Sequence, residues 1–255
     1  MSGTHTFQVD SLRVKCYGSR KEMGAGAAQD IRKKILALAK EQPAINVIFA
    51  AAPSQLEMLA VLAADRTIPW KKINAFHMDE YIGLPKDAPQ RFGAFLHRYL
   101  FEKVPLRSVS YLNGSAEDME RECVRYAALL EQYPADLVCM GIGENGHIAF
   151  NDPPVADFND PLSVKRVELD ETCRKQQVHD GCFAHLKDVP RSALTLTVPA
   201  LMRAPWLFCV VPAATKAHAV REMLQGPIAE ACPASVLRNH TGASLYLDED
   251  SAMLL

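Results

Sequence analysis

Apolar positions along the chain alternate between two rhythms. Residues 20–42 place Ala28, Ile31, Ile35, Leu38 and Ala39 on one face at helical spacing, and the run stops before Pro43. The next apolar stretch, 45–51, is short and continuous, as expected of a strand buried on both faces. Pro53 suits the first turn of a following helix whose stripe is Leu56, Leu59, Ala60 and Ala63. The pattern then predicts a strand at 72–77, a helix at 92–101 and a helix at 116–132 with Met119, Cys123, Tyr126 and Leu130 on one side. Residues 135–142 form the clearest strand, and an irregular stretch with Pro153, Pro154 and Pro161 follows it. Further strands are predicted at 164–169, 193–198, 206–211 and 244–247, with a helix at 213–224. Such alternation implies an α/β fold: a single domain over residues 1–255 with a mostly parallel, Rossmann-like sheet and helices on both faces.

An open parallel sheet binds ligands at the carboxyl ends of its strands, where the strand order reverses. That rule selects the loops 50–54, 77–81, 141–153 and 211–216. Composition narrows the partners. The 255 residues are 49% apolar and 23% charged, which excludes disorder as the main description. With 28 Lys+Arg against 30 Asp+Glu, the charge of −2 lacks the basic footprint of a nucleic-acid binder. No apolar run approaches the ~18 residues of a membrane span. The amino terminus has no basic and apolar leader pattern, so a cytoplasmic location is expected. Seven cysteines are scattered without a C-x-x-C pair, which points to reduced thiols rather than a disulfide framework or a zinc cage.

The selected loops carry unusual residues. Gly141-Ile-Gly-Glu-Asn-Gly146 matches G-x-G-x-x-G after a strand, and Asp170 lies at a suitable distance for a ribose contact. A dinucleotide site also needs a helix starting at the third glycine, and His147-Ile-Ala-Phe-Asn-Asp-Pro-Pro154 argues against one. Glycines around a histidine fit instead a loop whose backbone approaches a ligand, with a merely packed histidine as the plain alternative. His77-Met-Asp-Glu-Tyr81 puts two carboxylates at a strand end, where a general base would sit, although a bare Asp-Glu pair is more often a solvated turn. A metal site built from His77, Asp79 and His147 lacks a compact ligand pattern, so no metal is expected. Arg91 reads as capping a solvated helix face, and His179 and His185 flank a polar segment that could form a lid.

Together, Met78-Asp-Glu-Tyr-Ile-Gly-Leu-Pro85 and Gly141-Ile-Gly-Glu-Asn-Gly-His-Ile-Ala-Phe-Asn-Asp-Pro153 closely resemble the glucosamine-6-phosphate deaminase family. The resemblance runs from about residue 45 to 255 and includes His97-Arg98, Leu112-Asn-Gly114, Ala193-Leu-Thr-Leu-Thr197 and Lys216-Ala217. It implies an aldose–ketose isomerisation coupled to loss of ammonia, with no metal or organic cofactor. By that likeness Asp79 is the base moving a proton between C2 and C1, and His147 assists ring opening. Asn145 and Asp152 stand where two acidic residues tune the histidine. The substrate would be a phosphorylated amino sugar, glucosamine 6-phosphate or galactosamine 6-phosphate, contacted by Ala51, Ala52, Ser54, Glu80, Gly143, Gly146, Lys216 and Arg174. The 6-phosphogluconolactonases share the fold and the Gly-x-Gly…Gly-His loop, so a lactone hydrolase is one alternative, and a non-catalytic sugar-phosphate sensor another. The family includes monomers and larger assemblies, which leaves a homo-oligomer open.

Three departures from the family pattern carry consequences. Asp152 replaces a glutamate and withdraws its carboxylate by about 1.5 Å. Near 1 Å of misplacement can reduce a rate on the order of a hundredfold unless the backbone compensates. Asn145 replaces an aspartate found in many members, although others also carry Asn; an amide can orient His147 but cannot hold an imidazolium by charge. Ala50-Ala-Ala-Pro-Ser54 replaces a glycine-rich phosphate turn, keeping the amide donors but resisting positive φ. The family's phosphate arginine has no counterpart, since Arg174 is offset, whereas Lys216 matches its lysine.

Overall fold

The computed structural model describes residues 4–255. Its elements run β1 (His5–Val9), β2 (Leu12–Tyr17), α1 (Arg20–Glu41), β3 (Ile45–Phe49), α2 (Leu56–Ala64), β4 (Ile73–His77), β5 (Asp79–Tyr81) and α3 (Phe92–Leu96). There follow β6 (Ser108–Ser110), α4 (Met119–Gln132), β7 (Leu137–Met140), β8 (Val164–Glu168), α5 (Glu171–His179) and β9 (Ser192–Leu196). The chain closes with α6 (Val198–Met202), β10 (Trp206–Val211), α7 (Ala217–Gln225) and β11 (Ala243–Asp248).

Eight strands form one sheet in the order β1-β2-β11-β10-β7-β3-β4-β6. Every pair is parallel except the β1–β2 hairpin at the edge. Alternate residues serve opposite faces. Val47 and Phe49 of β3 join Met23 and Ile31 of α1 and Leu59 of α2, whereas Ile48 packs with Tyr126 of α4, Leu201 of α6 and Met223 of α7. Helices therefore cover both faces, as the continuous apolar strands require. No helix among the described residues is long and apolar enough to cross a membrane. All seven cysteines are free.

The expected strands at 164–169 and 193–198 do not join the main sheet. They form β8 and β9 of a second, wholly antiparallel sheet in the order β5-β9-β8. The expected helix at 92–101 divides into α3 and a π-type turn over His97–Phe101. A 3-10 turn, Pro53–Gln55, precedes α2, and another, Ala214–Lys216, precedes α7. No helix begins at Gly146, so the dinucleotide fingerprint lacks its required context.

The small sheet fastens two distant loops to each other. Asp79 of β5 lies opposite Thr195 of β9, and the Thr195 hydroxyl accepts the Phe150 amide at 3.1 Å. One residue later, Asn151 donates its side-chain amide to the carbonyls of Ile148 (2.9 Å) and Leu196 (2.8 Å). Thr195 is fully buried, so no water replaces its hydroxyl. Thr195→Val is expected to leave the Phe150 amide unpaired, lowering stability by about 1–3 kcal/mol in denaturant unfolding, with a loss of any activity that needs Asp79 and His147 together.

Candidate active site

The chain leaves β3 towards β4 and β6 on one side, then returns to β7 on the other, so strand order reverses at β3. At the carboxyl ends of these strands and of β10 lies one cleft. It is lined by Ala51, Ala52 and Ser54 after β3, Asp79 after β4, His147 after β7, and Ala213 and Lys216 after β10. Phe92 and Phe150, stacked with centroids 5.4 Å apart, form an apolar wall.

His147 is oriented entirely by its own loop. Its Nδ1 lies 2.8 Å from Asn145 Oδ1 and 2.9 Å from Asp152 Oδ1, and the Asn145 amide donates to the same Asp152 oxygen at 2.9 Å. Two oxygen acceptors at Nδ1 assign the proton to that nitrogen, which leaves Nε2 for proton exchange in the cleft. The shorter Asp152 thus still reaches the ring, and it supplies the charge that Asn145 lacks. Burial raises the Asp152 pKa, but the hydrogen bond and charge of His147, with Asn145 beside it, outweigh that effect and hold it below the usual carboxylate range. Asn145 and Asp152, expected among the catalytic residues, do not line the cleft and reach it only through His147.

Gly143 and Gly146 do not line the cleft either, contrary to the expected ligand contacts. A Cβ on Gly143 would fall 2.1–2.5 Å from three atoms of the His147 ring, so the missing side chain is the space in which the imidazole sits. Gly146 takes φ +79° in the turn that returns to His147.

Around Asp79, neighbouring polar groups hold the backbone rather than a ligand. His77 Nε2 accepts the Leu112 amide at 2.9 Å, which makes Nδ1 the donor to the Asp79 carbonyl at 2.8 Å. Burial lowers the His77 pKa to about 4, so the ring stays neutral. Glu80 was expected at the ligand and is instead fully buried away from it. Its carboxylate accepts the amides of Tyr81 (2.9 Å), Phe92 (3.1 Å) and Gly93 (3.0 Å), satisfying the open end of α3. Arg91 approaches Glu80 Oε2 at 3.7 Å. The Asp79 carboxylate is the group left over: Oδ1 is buried and has no hydrogen-bond partner. Burial, and then the charge of Glu80, push its pKa well above the ordinary value.

At the far end, Lys216 is 5% exposed and its Nζ has no partner. Burial lowers its pKa, while Asp180 and Glu144 pull it back up. The loop before it is strained. Ala213 has φ +83°, and its amide is held by both Asp248 oxygens at 3.1 Å. Arg174 is not in the cleft; its Nη2 donates to the carbonyls of Leu186 (2.7 Å) and Val189 (3.0 Å), tying α5 to the next turn. The place expected for an arginine is filled by Gln176, Gln177 and Asp180 of the α5 end. Arg20 and Gln55 also line the cleft and carried no motif to announce them. His147, Asp152 and Cys173 offer ligand atoms within 4.8 Å of one another and are the residues that could hold a transition metal.

Comparison with known proteins meets this geometry. The family described as glucosamine-6-phosphate isomerases/6-phosphogluconolactonase matches residues 18–246. The chain belongs to this family. Glucosamine-6-phosphate deaminase of Bacillus thuringiensis (strain Al Hakam) is 34% identical over 215 residues, covering 84% of this chain and 79% of that protein. The deaminase of Bacillus cereus (strain AH820) matches to the same extent. A solved monomeric glucosamine-6-phosphate deaminase, described as a missing link of the NagB superfamily, superposes with a TM-score of 0.86 at 28% identity, covering 95% of this chain and 99% of the other. The 6-phosphogluconolactonase of Trypanosoma brucei, at 19% identity, TM-score 0.78 and coverage of 98% and 100%, shares the fold.

Within the family frame, the fit between Gly143 and His147 gives a sharp test. Gly143→Ala is expected to push the imidazole off Asp152 and lower kcat by about a hundredfold or more, with an unchanged far-UV circular dichroism spectrum.

Proposed function

We propose that the protein converts a hexosamine 6-phosphate and water to the ketohexose 6-phosphate and ammonia. The observation that carries this reading is the pairing, on one cleft, of a buried unpartnered carboxylate with a histidine whose Nε2 is free. His147 Nε2 moves a proton between the ring oxygen and the C1 hydroxyl, opening the pyranose. Asp79 then removes the C2 proton; the electron pair passes to the C1 carbonyl, and the enolamine forms. Returning the proton to C1 gives a C2 iminium, to which water adds before the C–N bond breaks and ammonia leaves. The net reaction is an isomerisation followed by hydrolytic deamination. Lys216, the amides of Ala51 and Ala52 and the Ser54 hydroxyl take the phosphate, while Phe92 and Phe150 shield the reacting carbons from water.

Ammonium release should be measured on glucosamine, galactosamine and mannosamine 6-phosphates, with 6-phosphogluconolactone hydrolysis alongside. Turnover of at least one amino sugar is expected. Silence on the three, or turnover of the lactone alone, overturns the proposal. Asp79→Asn is expected to lower kcat by about 10²–10⁴-fold while KM changes little.

The raised pKa of Asp79 has two consequences of opposite sign. A base works only when ionised, so the acid limb of kcat/KM is expected well above the ~3.9 of an ordinary aspartate. For stability, the folded state holds the proton more tightly than the unfolded chain does. The contribution is therefore complete below the ordinary aspartate pKa and is lost as pH rises through the folded pKa. Asp79→Asn lacks that loss and is expected to melt higher than wild type at neutral pH in a thermal scan.

A further inference from the structure

Resting on the hexosamine 6-phosphate reading, we propose that Arg20 binds the substrate's phosphate opposite Lys216. The sequence places it there by a chain of local constraints. Ser19 accepts the Glu22 amide at 3.2 Å, and this capping contact makes Arg20 the first residue of α1. One turn on, Gly24 lies so close to α2 that a Cβ would fall 2.5 Å from Glu57 Cβ. The close crossing brings Arg20 over the turn after β3. There Nη2 donates to the Pro53 carbonyl at 2.5 Å, and Nε lies 2.8 Å from Glu57 Oε1.

These anchors fix the guanidinium without saturating it. Nε lies close to Glu57 Oε1 but makes no hydrogen bond, and Glu57 Oε2 is likewise buried without a partner. Of the five N–H groups on the planar fork, one is bonded, to Pro53, and Nε is buried, so the remaining N–H groups on Nη1 and Nη2 are the ones left for a ligand. Arg20 lines the same cleft as Ala51, Ala52 and the buried, unpartnered Lys216. Charge then favours a second cation. Asp180 also lines the cleft, so Lys216 by itself is offset, and a sugar phosphate carries close to two negative charges at neutral pH. Arg174 is held elsewhere, and Arg20 is the other Lys or Arg among the described residues that line this cleft. A planar, multidentate donor is the group suited to a phosphate.

Two variants separate phosphate binding from a brace between α1 and α2. Arg20→Met is expected to weaken inorganic phosphate binding by calorimetry, and to raise KM for the 6-phosphorylated sugar, by about 10- to 100-fold, with a much smaller change in kcat. Glu57→Gln removes the carboxylate that competes with phosphate, so its binding should equal or exceed wild type. Arg20→Lys should fall between wild type and Arg20→Met, and it stands in should the Met variant fail to fold. Equal phosphate binding by wild type and Arg20→Met, or matching losses in Arg20→Met and Glu57→Gln, overturns the assignment. So does wild type that binds no phosphate. Calorimetry needs no turnover: phosphate binding that falls in Arg20→Met, on a protein silent toward every amino sugar, sinks the deaminase reading and keeps Arg20.

Discussion

A single buried strand, β9, decides whether the cleft exists. Asp79 and His147 sit on loops that follow different strands, with β3 lying between β4 and β7 in the sheet. Strand spacing of about 4.8 Å alone would leave the loops free to splay apart. Thr195 prevents this by facing Asp79 through the β5–β9 ladder while its hydroxyl holds the Phe150 amide. Asn151 adds a second tie from the same loop to Leu196. The main sheet supplies the platform, and the small antiparallel sheet sets the distance across it.

Burial is used in two opposite ways around this joint. Glu80 and His77 are charged or chargeable groups whose hydrogen bonds are filled by backbone, and they hold α3 and the segment at 112 in place. Asp79 and Lys216 are buried with partners missing. An unpaired buried charge is costly in the empty protein, and each is relieved by a ligand that brings the complementary group. Under the proposed reaction, Asp79 is relieved by the proton it removes and Lys216 by the phosphate.

The parallel core was legible because its strands are continuous apolar runs bounded by helical stripes, and 206–211 is found at its expected limits. The loops that converge followed from the rule for open sheets. Other features left weaker traces. The β1–β2 hairpin is a half-exposed edge without a continuous apolar run, which leaves no periodic signal to find it by. The strands β5 and β9 pair at long range, which periodicity along the chain does not report. Glu80 sits next to Asp79 in sequence, yet alternation in β5 sends its side chain to the opposite face. Arg174 had the right residue type, but α5 points it at the turn that follows.

Asn145 and Asp152 hold His147 as a pair. Two carboxylates facing Nδ1 would repel each other, and each would have to be held by something else. An amide at 145 removes that repulsion and adds a donor, which Asn145 directs to the oxygen of Asp152 that faces His147. Asp152 thus has its Oδ1 2.9 Å from Nδ1, and its pKa is held below the usual carboxylate range. The imidazole has a fixed orientation, a protonated Nδ1 and an adjacent carboxylate, an arrangement that leaves Nε2 as its acceptor nitrogen.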